Sequence, residues 1–177
     1  MHSKSYRFLT PLIMVLTWAN MEAQTSHPVP RLVVNVTIDQ LRTDYMEAFS
    51  SLFGAGGFNK VMRDGRSYMD AAYPFSHIDR ASAVACIMTG TVPYDNGIVG
   101  EHWMDRKTLR PMYCVDDATC EGWLTSEKYS PVALNVSTVT DELKMATGGR
   151  ALVYSIAPDA DAAILAAGHA ADGAFWI

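Results

Sequence analysis

A largely parallel central sheet flanked by helices, the α/β class, is the architecture this sequence predicts, and three observations carry the prediction. Leu32-Val33-Val34-Asn35-Val36-Thr37-Ile38 is a nearly continuous β-branched run of the kind buried on both faces of a parallel sheet. Strand-like and helix-like segments alternate along the rest of the chain. Glycines and capping residues fall where one kind of segment gives way to the other.

The first strand is expected over 32–38 and ends at Asp39. In open α/β sheets the carboxyl ends of strands face the ligand crevice, so Asp39 is a candidate ligand; a turn or helix-cap aspartate is the alternative. Asp44 to Phe53 has helical apolar spacing and stops at Gly54-Ala55-Gly56-Gly57, and a short helix follows over Phe58 to Arg63. Asp64-Gly65 reads as a turn and Tyr68 to Tyr73 as a strand. Arg80 to Met88 suits a packed helix, with Asp79 as N-cap and Gly90 as its stop. Glu101 to Tyr113 reads as an irregular hairpin turning near Arg106-Lys107. Thr138 to Thr147 is predicted as a helix, with Thr138 and Asp141 three apart in a capping arrangement and Gly148-Gly149 ending it. Ala151 to Ala157 is a further strand, and Ala162 to Ala167 an apolar segment. Ala174 to Ile177 has the character of a strand in progress, so the expectation is a fold incomplete at this C-terminus. The cut edge predicts poor solubility of the isolated chain.

At 49% hydrophobic and 19% charged residues, the 177-residue composition is that of a folded globular protein. Net charge is −5, with no Lys/Arg cluster able to follow a phosphate backbone, which argues against nucleic acid. Lys4 and Arg7 precede an apolar run from Phe8 to Ala19, and small residues reach Ala23. That order predicts a signal peptide over 1–23 and a mature chain over 24–177, exported to the periplasm or medium. The run is shorter than the about 20 residues of a membrane-spanning helix, so no stable membrane anchor is expected. Export permits disulfides, and Cys114 with Cys120 is the favoured pair across a short polar loop. Cys86, among apolar residues, is expected as a buried free thiol. No paired Cys-x-x-Cys spacing suggests a metal site.

Several segments occur together in one order: Val36-Thr37-Ile38-Asp39-Gln40-Leu41-Arg42, Phe53-Gly54-Ala55-Gly56-Gly57-Phe58, Thr89-Gly90-Thr91-Val92-Pro93, Asn96-Gly97-Ile98-Val99 and Ala167-Gly168-His169-Ala170-Ala171-Asp172. Together they resemble the N-terminal part of the alkaline phosphatase superfamily, in the branch of type I phosphodiesterases, nucleotide pyrophosphatases and secreted bacterial phosphomonoesterases. The resemblance implies an alkaline-phosphatase-like fold and a hydrolase of small phosphate mono- or diesters. It implies two zinc ions over the carboxyl ends of the sheet and a Thr or Ser nucleophile heading the next core helix. An Asn donates to phosphate, and a Lys and Arg pair adds positive charge in the monoesterase branch.

Carried onto this chain, the resemblance places Asp39 at a metal-ligand position. The nucleophile slot holds Arg80, whose guanidinium stays protonated and offers no lone pair. The phosphate-binding Asn slot holds Glu101, and the basic-pair region holds Asp159 and Asp161. Like charges within about 4 Å cost on the order of 4 kcal/mol at an effective dielectric near 20, so these acids would repel phosphate. Two functions follow as alternatives: a hydrolase with an altered nucleophile site, or a non-catalytic binding or structural module on a retired phosphatase fold. Arg80 is expected to pair with Asp39 or Glu101. Ser82 is the alternative hydroxyl, although two helical residues turn it about 200° from Arg80. A calcium-type site from Asp39, Glu101, Asp159 and Asp161 is a further option. His169 lies in a family-like segment and is expected as a hydrogen-bonded structural residue; His77 and His102 are candidates by position alone. Tyr73, Phe75, Trp103, Phe175 and Trp176 are expected in the core and pocket walls.

Overall fold

The computed structural model describes residues 29–177. The predicted signal peptide, residues 1–23, lies outside the described residues. Val34–Ile177 form one compact unit. Within this unit the elements are α1 (Thr43–Ala48), a single 3₁₀ turn (Ser50–Leu52), α2 (Gly57–Asp64), α3 (Arg80–Thr89), α4 (Pro93–Asn96), β1 (His102–Met104), β2 (Pro111–Tyr113), α5 (Val139–Ala146), β3 (Tyr154–Ile156), α6 (Ala160–Ala167) and β4 (Gly173–Phe175).

Helix α3 follows from its ends. The Asp79 carboxylate accepts from the Ser82 backbone N–H at 2.9 Å, and the Ser82 hydroxyl oxygen accepts from the Asp79 N–H at 3.0 Å. This reciprocal box satisfies two amides that a helix start leaves orphaned. Gly90 closes the helix at φ 69°, a left-handed conformation that costs glycine little. Helix α5 is opened by the same device, Thr138 and Asp141, as the sequence predicts.

The core lies between α3 and α6. Ala81, Val84, Ala85 and Met88 from α3 meet Ala160, Ile164 and Leu165 from α6, with Ile98, Cys114, Val115 and Leu134 filling the remainder. The alanines let the two helix axes approach closely. Helix α6 is apolar nearly all round, which marks a helix buried on most sides. Gly97, at φ 86°, passes so near the Ala133 carbonyl that a Cβ there would come within 2.6 Å of its oxygen.

Strands β3 and β4 are parallel neighbours, Tyr154 opposite Gly173 and Ile156 opposite Phe175, joined through α6 as a βαβ unit. Strands β1 and β2 form the predicted antiparallel hairpin, with Trp103 opposite Met112. Two predicted strands do not form. Residues 32–38 have no ladder partner among the described residues, and Val34 and Val36 are 70% and 72% exposed rather than buried. A β-branched run becomes a strand only when a neighbour supplies hydrogen bonds and a packing face, and none is present among the described residues. Residues 68–73 are likewise irregular and largely exposed. The helix expected over 44–53 divides into α1 and the 3₁₀ turn, because Phe49 leaves helical geometry.

The favoured disulfide is absent: Cys86, Cys114 and Cys120 are all free. Cys114 is fully buried in the core, and its N–H is held by the Glu101 carbonyl at 2.9 Å. Cys120 is held in its own turn by the Asp117 carbonyl, so each thiol is committed to different surroundings. Cys86 is half-buried rather than buried.

Candidate functional site

Helices α3 and α6 present their N-termini to the same point, and the segment leading into β1 passes beside them. Arg80 is the first residue of α3 and Asp161 the second of α6. The Arg80 guanidinium forks onto the Asp161 carboxylate, Nη2 donating to Oδ1 at 3.0 Å and Nε donating to Oδ2 at 3.1 Å. Nη1 lies 3.1 Å from Asp159 Oδ2, and Nη2 lies 3.5 Å from Glu101 Oε2. All four residues that the sequence placed in the nucleophile, phosphate-binding and basic-pair slots are therefore in one cluster. Burial is graded across it: the Asp161 side chain is 0% exposed, Arg80 28%, Glu101 38% and Asp159 47%.

Bidentate guanidinium–carboxylate geometry gives the strongest form of this contact. The hydrogen bond to Asp161 raises the Arg80 pKa above its already high value, opposed by burial and aided by the charges of Asp161, Asp159 and Glu101. Cys114 lies beneath the same carboxylates. Burial, then Asp161, Glu101 and Asp79, push its thiol up to about 12, so it is inert as a nucleophile. The Tyr113 hydroxyl accepts from the Asp161 N–H at 3.2 Å, and burial with the Asp161 charge holds that phenol neutral.

Asp79 has a second function that its sequence position did not announce. One oxygen caps α3; the other accepts from the Glu101 N–H at 2.6 Å. A single carboxylate therefore fixes the spacing between the helix carrying Arg80 and the segment carrying Glu101. Burial pushes Asp79 up, but the Ser82 and Glu101 amides, the Ser82 hydroxyl and Arg80 bring it below the usual range. A cap is legible from an aspartate before a helix, whereas a partner 22 residues onward is a product of tertiary packing.

The structure separates Asp39 from this cluster. Asp39 is exposed in a turn, and Arg80 pairs with Glu101 but not with Asp39 among the ion pairs of the described residues. A four-carboxylate calcium site is thereby corrected: three of the acids surround a guanidinium, and the fourth stands apart. Among the described residues no group of three or more His, Cys, Asp or Glu is arranged to hold a metal ion. Asp39 alone does not meet the three or four protein ligands of a zinc centre. Ser82 is fully buried, with its hydroxyl bound to Asp79, and faces the core rather than any substrate.

His169 is structural, as expected. Its Nδ1 lies 2.9 Å from Asp141 Oδ2 and its Nε2 lies 3.0 Å from the Leu134 carbonyl oxygen, so it ties α5 to two loops. His102 stacks on Tyr113 with ring centres 4.8 Å apart, and His77 is exposed. Trp103 and Trp176 pack against the core; Phe175 is 46% exposed.

The fold and the cluster together define a class: an α/β domain of the alkaline phosphatase superfamily, its N-terminal portion, in which helix α3 opens on the residue facing the site. The chain belongs to the type I phosphodiesterase / nucleotide pyrophosphatase family, whose sequence profile matches residues 33–176. It is 41% identical over 150 residues to alkaline phosphatase PhoV of Synechococcus elongatus, covering 83% of this chain and 27% of that protein. It is 32% identical over 174 residues to alkaline phosphatase PafA of Elizabethkingia meningoseptica, covering 96% of this chain and 32% of that protein. The crystal structure of wild-type alkaline phosphatase PafA superposes with a TM-score of 0.78 at 34% identity, over 85% of this chain and 30% of that one. The chain thus spans less than a third of the length of these relatives. No helix among the described residues is long and apolar enough to cross a membrane.

Proposed function

We propose that this chain is a phosphatase-family domain whose anion site has been converted into an acidic ion-pair cluster around one guanidinium, and that it acts as a non-catalytic binding or structural module. The observation that carries this reading is the Arg80 guanidinium forked onto buried Asp161, with Asp159 and Glu101 at 3.1 and 3.5 Å. A hydroxyl nucleophile is missing from the head of α3, and the groups that would receive a phosphate dianion are anions.

Spacing supports the assignment of the slots. A second solved structure, at TM-score 0.73, is a variant of alkaline phosphatase PafA substituted at a threonine, an asparagine, a lysine and an arginine. That threonine and asparagine stand 21 positions apart, as do Arg80 and Glu101. That lysine and arginine stand two apart, as do Asp159 and Asp161. Export through a signal peptide over residues 1–23 belongs to the same reading, and so does Asp39 as the position of a lost or incomplete metal centre. The described residues do not fit a two-zinc site, and no step is derived through zinc.

The competing reading, an active phosphate-ester hydrolase with an altered nucleophile, is favoured by the family match. It requires an attacking group other than Arg80, and buried Ser82 does not provide one. The deciding experiment measures zinc content and turnover of an aryl phosphate monoester and diester by the full-length protein. Arg80→Thr and the fourfold variant Arg80→Thr/Glu101→Asn/Asp159→Lys/Asp161→Arg are measured in parallel. The expected result is no turnover and no zinc in the wild type, with inorganic phosphate binding gained only by the fourfold variant. Wild-type turnover with bound zinc would overturn the proposal.

A further inference from the structure

Strands β3 and β4 carry a helix on one side only. Helix α6 packs along both, and among the described residues no other element does so to a comparable extent. Alternation along the strands sorts their side chains into two rows. Val153, Ala174 and Trp176 turn inward, the first buried and the other two packed against the core. Tyr154, Ile156 and Phe175 turn outward, flanked by exposed Leu152 and Ile177, and exposure at the three strand positions runs from 46% at Phe175 to 81% at Ile156. The Tyr154 and Phe175 rings, 6.3 Å apart, lean over Gly173, where a Cβ would come within 3.1 Å of the Phe175 ring. No charged side chain stands in the outward row.

A parallel strand pair joined by a helical crossover belongs to sheets covered on both faces, because such strands carry apolar side chains on either side. Here one face has its helix, and the other has none among the described residues. At about 150–250 Å2 per large side chain, the outward row leaves on the order of 700 Å2 of apolar surface uncovered, above the roughly 300–600 Å2 of the largest patch on an ordinary monomer. What covers it follows from how much polypeptide a domain of this family contains. The chain spans 27% and 32% of alkaline phosphatases PhoV and PafA, and superposes on 30% of the PafA crystal structure. The larger part of a domain of that size must adjoin this portion, and it does so most favourably across a wide, uncharged apolar face. A tethered segment meets that face at an effective concentration in the millimolar range, whereas a second copy meets it only at its bulk concentration. An amphipathic helix is the element whose broad apolar stripe matches the face of a parallel sheet.

We propose that the face formed by Leu152, Tyr154, Ile156, Phe175 and Ile177 is a docking surface for an amphipathic helix from the remaining portion of the same full-length polypeptide. Its apolar stripe lies across the outward row, with Tyr154 and Phe175 as the central anchors. The docked helix also braces the Arg80 cluster, since Ile156 leads through Ala157 and Pro158 to Asp159, and the Ile177 N–H reaches the Pro158 carbonyl at 3.5 Å. The docking does not depend on whether that cluster binds phosphate. Regained phosphate binding by the fourfold variant tests the cluster, and variants in the outward row test the face.

The experiment places a photoreactive benzoylphenylalanine at position 156, and in a second variant at position 175, of the full-length protein. After irradiation, the crosslinked peptides are identified by mass spectrometry. The expected result is crosslinks within one molecule to residues outside 29–177, and the residues reached from the two positions should fall at the three- and four-residue spacings of one helix face. Crosslinks between two molecules, seen as doubled mass that dilution abolishes, would assign the face to a second copy and overturn the proposal. Crosslinks confined to residues 29–177, or none from either position, overturn it as well. Ile156→Cys serves where the bulky residue does not fold. Its maleimide labelling in the full-length protein should be slowed at least about tenfold relative to the same variant unfolded in urea, the protection of a site opened only by local unfolding. Labelling as fast as in urea, in a protein whose circular dichroism shows it folded, overturns the proposal.

Discussion

Replacing Arg80 with alanine is the perturbation that most directly tests the ion-pair cluster. Asp161 is 0% exposed, and among the described residues its carboxylate oxygens find their side-chain hydrogen bonds in Arg80 alone. At 3.0 Å, a unit charge pair is worth about 5 kcal/mol at an effective dielectric of about 20, before the desolvation it offsets. Removing the cation strands a buried anion, and breaking such a pair costs about 3–5 kcal/mol. Asp159 and Glu101 are too exposed to add much, so the lower figure, about 3 kcal/mol at neutral pH, is expected for Arg80→Ala. The double variant Arg80→Ala/Asp161→Ala removes both charges and should recover at least half of the loss, because no uncompensated carboxylate remains. Arg80→Lys should fall between, since an ammonium cannot form the two-pronged contact. Urea unfolding followed by circular dichroism measures all three, provided the denaturant slope is shared. A loss under about 1 kcal/mol for Arg80→Ala, or a double variant no more stable than the single, would refute the claim that Arg80 neutralises a buried Asp161.

Asp141 supplies a pH prediction. Burial pushes its carboxyl up, but the His169 ring, the Thr138 and Ala170 amides and the Thr138 hydroxyl together lower it from 3.8 to about 2. A depressed carboxylate contributes stability above its unfolded value that disappears as pH falls through the folded one. About 2 kcal/mol should therefore be lost between about pH 4 and pH 2, and Asp141→Asn should flatten that part of the stability–pH curve. Asp79→Ala removes both the α3 cap and the acceptor for the Glu101 amide. It should cost about 2–3 kcal/mol in urea unfolding, above the about 1 kcal/mol of an ordinary cap. Iodoacetamide under native conditions should label Cys86 and Cys120 and spare Cys114, as read by mass spectrometry; a Cys114–Cys120 crosslink would contradict the free thiols. The uncharged run at 32–38 is exposed at Val34 and Val36, so the chain should scatter light increasingly with concentration, and Val36→Lys should reduce that scattering.

What could be read in the sequence divides along a physical line. Local determinants were legible: the caps at Asp79 and Thr138, the left-handed stop at Gly90, and the hairpin turning near Arg106-Lys107 all act within a few residues. The strand expected at 32–38 was not, because strand formation depends on a partner that sequence pattern does not specify, and among the described residues none pairs there. The disulfide failed for a related reason, since the short separation of two cysteines says nothing about which of them packs inward, and Cys114, just after β2, is buried in the core. At the candidate site, the substitutions at 80, 101, 159 and 161 were legible one by one. Their convergence on one guanidinium was half anticipated, with Glu101 correctly paired to Arg80 and Asp39 not. Neither the dominance of Asp161 nor the bracing of Glu101 by Asp79 could be read, because the first depends on the packing of α3 against α6 and the second on the packing of the α3 N-terminus against the segment before β1.

That convergence constrains how the four positions can change. With Arg80 present, Asp161 is tolerated in the core because its charge is matched; without Arg80, the same aspartate is an isolated buried anion. Conversely, Arg80 beside a lysine and an arginine in place of Asp159 and Asp161 would put three cations within a few ångströms, each repelling the others. Arg80 and the acids are therefore mutually dependent, and a single reversion lowers stability without restoring an anion site. In Arg80→Thr alone, the new hydroxyl would face three carboxylates, and phosphate would still be repelled. This coupling is why the fourfold variant, rather than Arg80→Thr, is the informative test: it alone changes the sign of the local charge from acidic to basic. If Arg80→Thr by itself bound inorganic phosphate, the carboxylates would have to lie outside the field of the site, contrary to the distances of 3.0 to 3.5 Å that join them to Arg80.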